Sequence, residues 1–582
     1  LCLGFSLLFI GENLAYTILL YQSFTAGNMS LKTDNSSCQE PMQLRTTNIE
    51  KLSTETFDVL VVGGGINGAV SAASLSQKGV KTALIDQGDF AGMTSQESSN
   101  LAWGGIKYME NLEFMLVRKL CKSRNHLIRH YPSTVREIRF FTTISKGFRF
   151  PPVFIWMGTW LYWLIGSCFT KTPRFLTKTR IENEEPIINT ALAQGGFEYS
   201  DAYLHDNDAR FVFGFIRSAL TAGCIAANYV ELVDSARDEN GIWVSEVKNV
   251  ITSESFTVRS KALINSTGPL VDKFNENLKQ TTEHRILLSK GIHLLVEKVT
   301  TSKKVLAFFA SDGRLFFVIP MGVRTCIGTT DTPVDAPTKT VTNEDREFVL
   351  KNINSLLKLD KPLEQSDIIA ERCGVRPLVV SGEGDGESDW MQLSRKHAVE
   401  VNSNACYLSI FGGKLTDCLN VGDEVCEIIK DLGIEIPYPD YTWYGEPDAK
   451  TKERFMHQAE LMGLDSFKAK ESSERLSTRL WRRYGDSAFR LLEMIQADPE
   501  QGEVLIKGTE YLRCELREAA RREMITKLSD FLRRRSKIAL IEHRDTIRSS
   551  AGLLEACQIL FGDQANEKLE EYFQETLSEN MD

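Results

Sequence analysis

From Phe57 the chain runs through an apolar stretch, FDVLVV, a glycine turn, a segment of helical spacing, INGAVSAASLSQKG, and a second apolar stretch, VKTALID. Strand, turn, helix, strand is the order of a βαβ unit. The same alternation of strand-like and helix-like segments continues to about residue 435, which predicts an α/β fold. After YTWYGEP at 441–447 the pattern changes to helical periodicity with dense charge, as in ELREAARREMITKLSDFLRRRSKIAL, so a separate all-helical domain is expected over 441–582. Within it, Arg533, Arg534 and Arg535 read most simply as a solvated helix face; such a run can also approach anionic lipid headgroups.

Two apolar stretches stand outside this alternation. Residues 1–22, LCLGFSLLFIGENLAYTILLYQ, contain Glu12 and Asn13 and no basic residue, whereas signal and transit peptides carry basic residues early. With the polar stretch that follows, residues 1–56 are expected to be a leader, an anchor or a linker, with Met29 an alternative start. The second stretch, PPVFIWMGTWLYWLIGSCFT at 151–170, is uncharged and long enough to span a bilayer. It lies inside one module, however, and spanning would put the two halves of that module on opposite sides. A Trp- and Phe-rich segment that enters the membrane interface from one side is expected, with a buried core helix as the alternative.

Composition narrows the function. A chain of 582 residues has room for roughly two to four domains. A net charge of -10 lacks the basic footprint of a nucleic-acid binder. The 12 cysteines are scattered without a C-x-x-C pair and read as reduced core thiols. No metal site is expected: DGESD at 385–389 is acidic but lacks the frame of a calcium loop.

The chemistry begins at Gly63-x-Gly65-x-x-Gly68, placed between a strand and a helix. Such glycines give a tight turn, close approach of backbone to a pyrophosphate, and close helix-to-strand packing. Asp86, closing VKTALID, stands where an acid would hold ribose hydroxyls, an arrangement that suits NAD and FAD alike. Two later turns bear on the choice: NSTGP at 265–269, with Thr267 and Gly268, and FGGKLTD at 411–417, with Gly412 and Gly413 before a helix whose dipole could face a flavin ring. Three chain-distant turns around one cofactor suit a flavin that stays bound.

At this point the residues match a family. The stretches VVGGGINGA, TSQESSN-x-x-x-GG-x-x-Y, GFEYSDA, NSTGP, KGIHLLV, FFVIPMG, IGTTD, GVRPL and SIFGGKLTD, in this order, resemble the FAD-dependent, respiratory glycerol-3-phosphate dehydrogenases among the D-amino-acid-oxidase-like flavoenzymes. The C-terminal part, around RRYGD, is similar to the helical cap domain of that family. The resemblance implies an FAD-binding, Rossmann-like domain over 57–440, a substrate domain interleaved at about 111–195 and 281–365, and the helical domain over 441–582. It implies that Asn67, Thr94, Ser95, Ser98, Ser99, Leu415 and Thr416 belong to the cofactor site, that Gly104 and Gly105 flank the flavin, and that Lys107 and Tyr108 face substrate. By the same resemblance His293 is the base or hydroxyl partner, and Arg376, Arg395 and Lys414 are the basic active-site groups, with Asp331 orienting one of them. Without it, a lone histidine among apolar residues reads as a core residue.

The match is not uniform. Asn100, Trp103 and Lys107 stand where Lys, His and Arg are usual, and replacing Arg by Lys turns a bidentate fork into a point charge. The implied reaction is oxidation of sn-glycerol 3-phosphate to dihydroxyacetone phosphate, with electrons passed to membrane quinone. The implied location is a membrane, the mitochondrial inner membrane in a eukaryote, and a homodimer is compatible with the sequence. Three alternatives stay open: oxygen as acceptor, a related flavoenzyme acting on an amine or hydroxy acid, and a catalytically silent flavoprotein held at a membrane.

Overall fold

The computed structural model describes residues 43–310, 314–381, 397–470 and 472–578. The stretch 1–42, Arg395 and the acidic DGESD segment lie outside the described residues.

Strand Thr56–Val62 is buried along nearly its whole length, as a strand flanked on both sides must be. It pairs in parallel with Ser255–Asn265 on one side and Thr82–Ile85 on the other, and Ser255–Asn265 pairs in parallel with Tyr407–Phe411. Parallel pairing places the C-terminal ends of these four strands at one edge. The turns that follow them, at 63–65, 86–88, 266–268 and 412–414, therefore meet although they are far apart in sequence. Ile225–Ala227 and Ala398–Asn402 lie at the two ends of this strand order, and the antiparallel pair Val230–Arg237 and Trp243–Asn249 extends Ser255–Asn265 into an eight-stranded sheet. Helix Ile66–Gln77 packs between Asp208–Thr221 and Cys418–Asp431. Its Ala69, Ala72 and Ala73 allow the close approach, and Phe213, Val421 and Val425 fill the space around them.

A second, ten-stranded and mostly antiparallel sheet draws on residues 101–204 and 284–381. It reaches past the expected limits of 111–195 and 281–365 because the pairings that complete it lie outside them. Leu101–Ala102 adds to Ala193–Leu204, and Ile368–Ser381 runs beside His284–Glu297, setting His293 opposite Arg372 and Ser289 opposite Arg376.

Two expectations need correction. Residues 43–54, expected within a leader or linker, form helix Gln43–Thr54 packed on the first sheet. Its buried side is largely polar: Arg45 Nε donates to Asn228 O (2.9 Å), Arg45 Nη2 to Asn249 Oδ1 (2.8 Å), and Asn48 Nδ2 to Ala226 O (2.8 Å). Hydrophobic spacing could not reveal a face held by hydrogen bonds. Secondly, Arg534 and Arg535 are buried rather than solvated, and the helical domain docks on the cofactor-side domain through charge: Arg210 pairs with Glu523 (2.7 Å), Arg483 with Asp206 (2.8 Å) and Arg535 with Asp89 (2.8 Å). The apolar run at 151–170, expected to enter an interface from one side with a buried core helix as the alternative, is not a buried core helix. It forms helix Pro152–Ile165, whose inner face buries Thr159 and Tyr162 while Val153, Phe154 (56% exposed), Met157, Leu161 and Leu164 face outward. Fourteen residues extend about 21 Å, short of the roughly 30 Å hydrocarbon layer. Among the described residues no helix is long and apolar enough to cross a membrane. The cysteines of the described residues are free thiols, most of them buried.

Candidate functional site

The four turns wall a cavity of about 1590 Å³, larger than the roughly 300–1,000 Å³ of ordinary small-molecule pockets and suited to an extended dinucleotide. Gly63, Gly65, Asn67, Asp86, Thr94, Ser95, Thr267, Gly268, Gly412 and Gly413 all lie on its wall. Helix Ile66–Gln77 starts there without a side-chain cap at Gly65, and its first amide, Ile66 N–H, donates to Ser95 Oγ (3.0 Å). Gly68 has no room for a side chain: a Cβ would overlap Gly63 O and come within 2.6 Å of Ser266 Oγ. This is the helix-to-strand packing role that the glycine spacing predicts.

Asp86 accepts Gly64 N–H on Oδ2 (2.6 Å) and Gly88 N–H on Oδ1 (2.8 Å). Burial raises its pKa to about 6 even though both amides favour the carboxylate. Asn67 Nδ2 donates to Gly412 O (2.9 Å), while Asn67 Oδ1 is buried with no hydrogen-bond partner among the described residues. A buried, unpaired acceptor on a cavity wall, beside the amides of a helix N-terminus and a ribose-side carboxylate, fits a bound FAD.

The second sheet brings His293 and Arg376 together. His293 is buried, and neither ring nitrogen has a partner among the described residues. Burial, then the cations of Arg376 and Arg372, lowers its pKa to about 3, so the imidazole is neutral at pH 7. Arg376 Nη1 donates to Asp331 Oδ1 (3.1 Å) and Nη2 to Thr329 Oγ1 (3.1 Å), and Ser289 Oγ also donates to Asp331. The guanidinium lies where a Cβ of Gly291 would be, so that glycine makes room for the arginine. Thr94 Oγ1 donates to Val375 O (2.6 Å), tying the cofactor side to the residue before Arg376.

The segment 98–108 is held by contacts within the protein. Ser98, Ser99, Gly104, Gly105, Leu415 and Thr416 lie off the cavity wall. Ser98 Oγ accepts from Asn100 N–H (3.0 Å), Leu415 packs against the core of the first sheet, and Thr416 Oγ1 donates to Trp103 O (3.4 Å). Gly104 donates its N–H to Asp201 Oδ1 (3.0 Å), and a Cβ there would overlap the Tyr162 hydroxyl; at Gly105 a Cβ would come within 2.7 Å of the Tyr108 ring. These glycines are thus required by the protein's own packing. Lys107 is exposed, and Lys414 Nζ donates to Tyr108 OH (2.7 Å).

Sequence reasoning missed the groups that hold this segment. Arg372 is buried, donates to Ser98 O and to Asn100 Oδ1 (2.8 Å), and pairs with Asp208 (3.4 Å). Asp201 accepts from Arg124 Nη1 (2.7 Å) and Tyr162 OH (2.7 Å) as well as from Gly104. Their partners lie 39 to 274 residues away, and only Asp201's place in GFEYSDA drew notice to any of them.

His397 fixes the turn that carries Lys414. Its Nδ1 lies 2.7 Å from Asp417 Oδ2 and its Nε2 lies 2.8 Å from Glu424 Oε2, while Asp417 also accepts from Ser123 Oγ (3.0 Å) and approaches Lys119 (3.6 Å). Burial opposes the imidazolium, but the two carboxylates outweigh it and raise the pKa to about 9. Because the folded value exceeds the unfolded value of about 6.5, the added stability is fully present below that pH and is lost as pH rises through 9. His397→Gln is expected to lower stability by roughly 2–3 kcal/mol at pH 6 and by much less at pH 10. Denaturant melts of both proteins at the two pH values measure this, and a pH-independent difference would refute it.

Residues 58–399 match the model of the family described as FAD dependent oxidoreductase, and 448–564 match the C-terminal domain of alpha-glycerophosphate oxidase. The chain is 31% identical over 503 residues to the aerobic glycerol-3-phosphate dehydrogenase of Escherichia coli (strain K12), covering 83% of this chain and 94% of that protein. It is 29% identical over 403 residues to the mitochondrial glycerol-3-phosphate dehydrogenase of Bos taurus, covering 66% of this chain but spanning only 54% of that longer protein. The structure of the Bacillus halodurans glycerol-3-phosphate dehydrogenase complexed with FAD shares the fold, with a TM-score of 0.70 over 93% of this chain and 97% of that one at 23% identity. With both parts of the chain matched in order, and with a cavity fitted to FAD as cofactor, this protein belongs to the family of FAD-dependent glycerol-3-phosphate dehydrogenases.

Proposed function

We propose that this chain oxidises sn-glycerol 3-phosphate to dihydroxyacetone phosphate and delivers the electrons to a membrane quinone. The observation that carries the reading is His293: a buried, neutral imidazole with unpartnered nitrogens, set beside Arg376. A neutral ring can take up the proton of a secondary hydroxyl. With a pKa near 3 it is a weak base before substrate binds. A phosphate dianion held by Arg376 would cancel part of that positive field and raise the ring's proton affinity as substrate binds. Arg376 suits the task, because Asp331 and Thr329 fix the orientation of its fork.

The helix N-terminus at Gly65, Asn67, Asp86, Thr267–Gly268 and Gly412–Gly413 would hold FAD, which when bound supplies the two-electron acceptor. Lys414, adjacent to Gly413 and held by Tyr108, contributes a cation to the same turn.

The outward face of helix Pro152–Ile165 supports a membrane partner. Its apolar side chains continue through Phe150 to Leu112, Phe114 and Met115 (80% exposed), with Glu110 and Arg149 paired between the two stretches (2.6 Å). Exposed Lys107, Arg118, Lys119, Lys146 and Arg149 surround it in sequence. An apolar face with a basic rim suits an interface carrying anionic headgroups.

The test is steady-state turnover in the presence of anionic vesicles. With sn-glycerol 3-phosphate and a short-chain quinone, quinol should form in step with dihydroxyacetone phosphate and faster than peroxide forms in air. Faster peroxide formation would make oxygen the acceptor, and equal turnover with a hydroxy acid or an amine would overturn the substrate.

A further inference from the structure

We propose that the C-terminal helical domain is part of the cofactor site and latches FAD in place through the three arginines Arg533, Arg534 and Arg535. Asp89 lies in the loop that leaves Asp86, and its side chain is fully buried. Its Oδ2 accepts from Arg534 Nε (2.5 Å) and Arg535 Nη1 (2.8 Å), and its Oδ1 accepts from Arg535 Nη2 (2.8 Å). Elsewhere on the same wall, Glu97 lies two residues after Ser95, which meets the helix N-terminus; Glu97 Oε2 accepts from Arg533 Nη2 (2.7 Å). The two segments that border the dinucleotide end of the cavity, 86–89 and 94–97, are therefore both held by a domain more than 430 residues later, at separations of 436 to 446 residues. Arg533 and Arg534 also form part of the cavity wall.

The backbone is shaped for this grip. Asp530–Arg535 is a π-helical turn, a form that recurs at functional sites, and it sends Arg533 to Glu97 and both Arg534 and Arg535 to Asp89. It is seated by Asn207 Nδ2, which donates to Arg533 O and Ser536 O (2.6 Å each), and by Tyr229 OH, which donates to Asp530 Oδ1 (2.7 Å). Tyr229 is itself on the cavity wall.

Energetics separate a latch from simple glue. Buried ion pairs add little net stability over apolar packing, yet breaking one partner is costly, so they select one docked geometry rather than strengthen docking in general. Here the selected geometry holds the cavity wall on both sides of the helix N-terminus. FAD release must loosen that wall, and its rate should follow the strength of the latch.

The experiment uses the FAD-loaded full chain and follows the rise of flavin fluorescence after dilution. The Arg533–Glu97 pair is the least buried of the set, so Arg533→Ala and Glu97→Gln are the primary variants, with Arg535→Ala as a stronger one. Each primary variant should release FAD about tenfold faster, equivalent to about 1.4 kcal/mol, and the double variant should be no faster than either single one. Arg513→Ala, which breaks a pair with Glu555 inside the helical domain, should release FAD at the wild-type rate. Circular dichroism identifies any variant that fails to fold. Release rates within twofold of wild type for folded Arg533→Ala and Glu97→Gln would overturn the latch, as would equal acceleration by Arg513→Ala.

Discussion

Replacing His293 by asparagine is expected to lower turnover by roughly 10²–10⁴-fold, the usual contribution of a general base, while FAD stays bound. The two effects separate because His293 lies on the second sheet and off the cofactor cavity wall. Asparagine keeps a polar group of similar size but cannot take the hydroxyl proton. The wild-type imidazole is held near pKa 3 by burial and by Arg376 and Arg372, so it carries no charge between pH 5 and 8, and the substrate-free histidine should add no acid limb to kcat/KM in that range. Stability carries the opposite sign from His397. The folded value lies below the unfolded value of about 6.5, so only the unfolded chain binds the proton, and native stability falls by about 1.4 kcal/mol per pH unit as pH drops from 6.5 towards 3. The asparagine variant should lose that component of the acid sensitivity. Turnover, flavin absorbance and denaturant melts at pH 5 and 7.5 measure all three effects; unchanged turnover would remove His293 from the chemistry.

Replacing Arg376 by lysine should lower kcat/KM for sn-glycerol 3-phosphate by roughly 10–150-fold, the worth of a charge-assisted hydrogen bond at about 1.5–3 kcal/mol. Lysine keeps the charge but not the fork, and the geometry that Asp331 and Thr329 impose acts on a planar guanidinium. The loss should appear mainly in KM, because phosphate is held alike before and during the reaction. Alanine should cost more: it leaves Asp331 without this cation, and it lets the pKa of His293 rise by removing one of the charges that depress it. A KM unchanged in both variants would place the phosphate elsewhere.

The turns that meet around the cavity were legible in the sequence because their signals are local. The glycine spacing, the acid closing the next strand and the small-residue turns each need only a few neighbours, and parallel pairing then gathers them at one edge. What escaped depends on distant partners. Arg533–Arg535 looked like a solvated face because Asp89 and Glu97 lie hundreds of residues earlier. The helix at 43–54 looked like a linker because its buried side is Arg45 and Asn48 rather than a run of apolar residues. The contacts of Gly104 with Tyr162 and Asp201 likewise depend on partners distant in sequence. The apolar run at 151–170 was ambiguous for a related reason: Thr159 and Tyr162 turn inward and the larger apolar groups outward, a division that its near-uniform hydropathy conceals.

The most direct measurement is an anaerobic titration of the FAD-loaded protein with sn-glycerol 3-phosphate, following the absorbance of oxidised flavin. Bleaching is expected to saturate with phosphorylated substrate, to be far weaker with glycerol, and to be slowed in the asparagine variant of His293. A flavin that stays oxidised at saturating sn-glycerol 3-phosphate would contradict it.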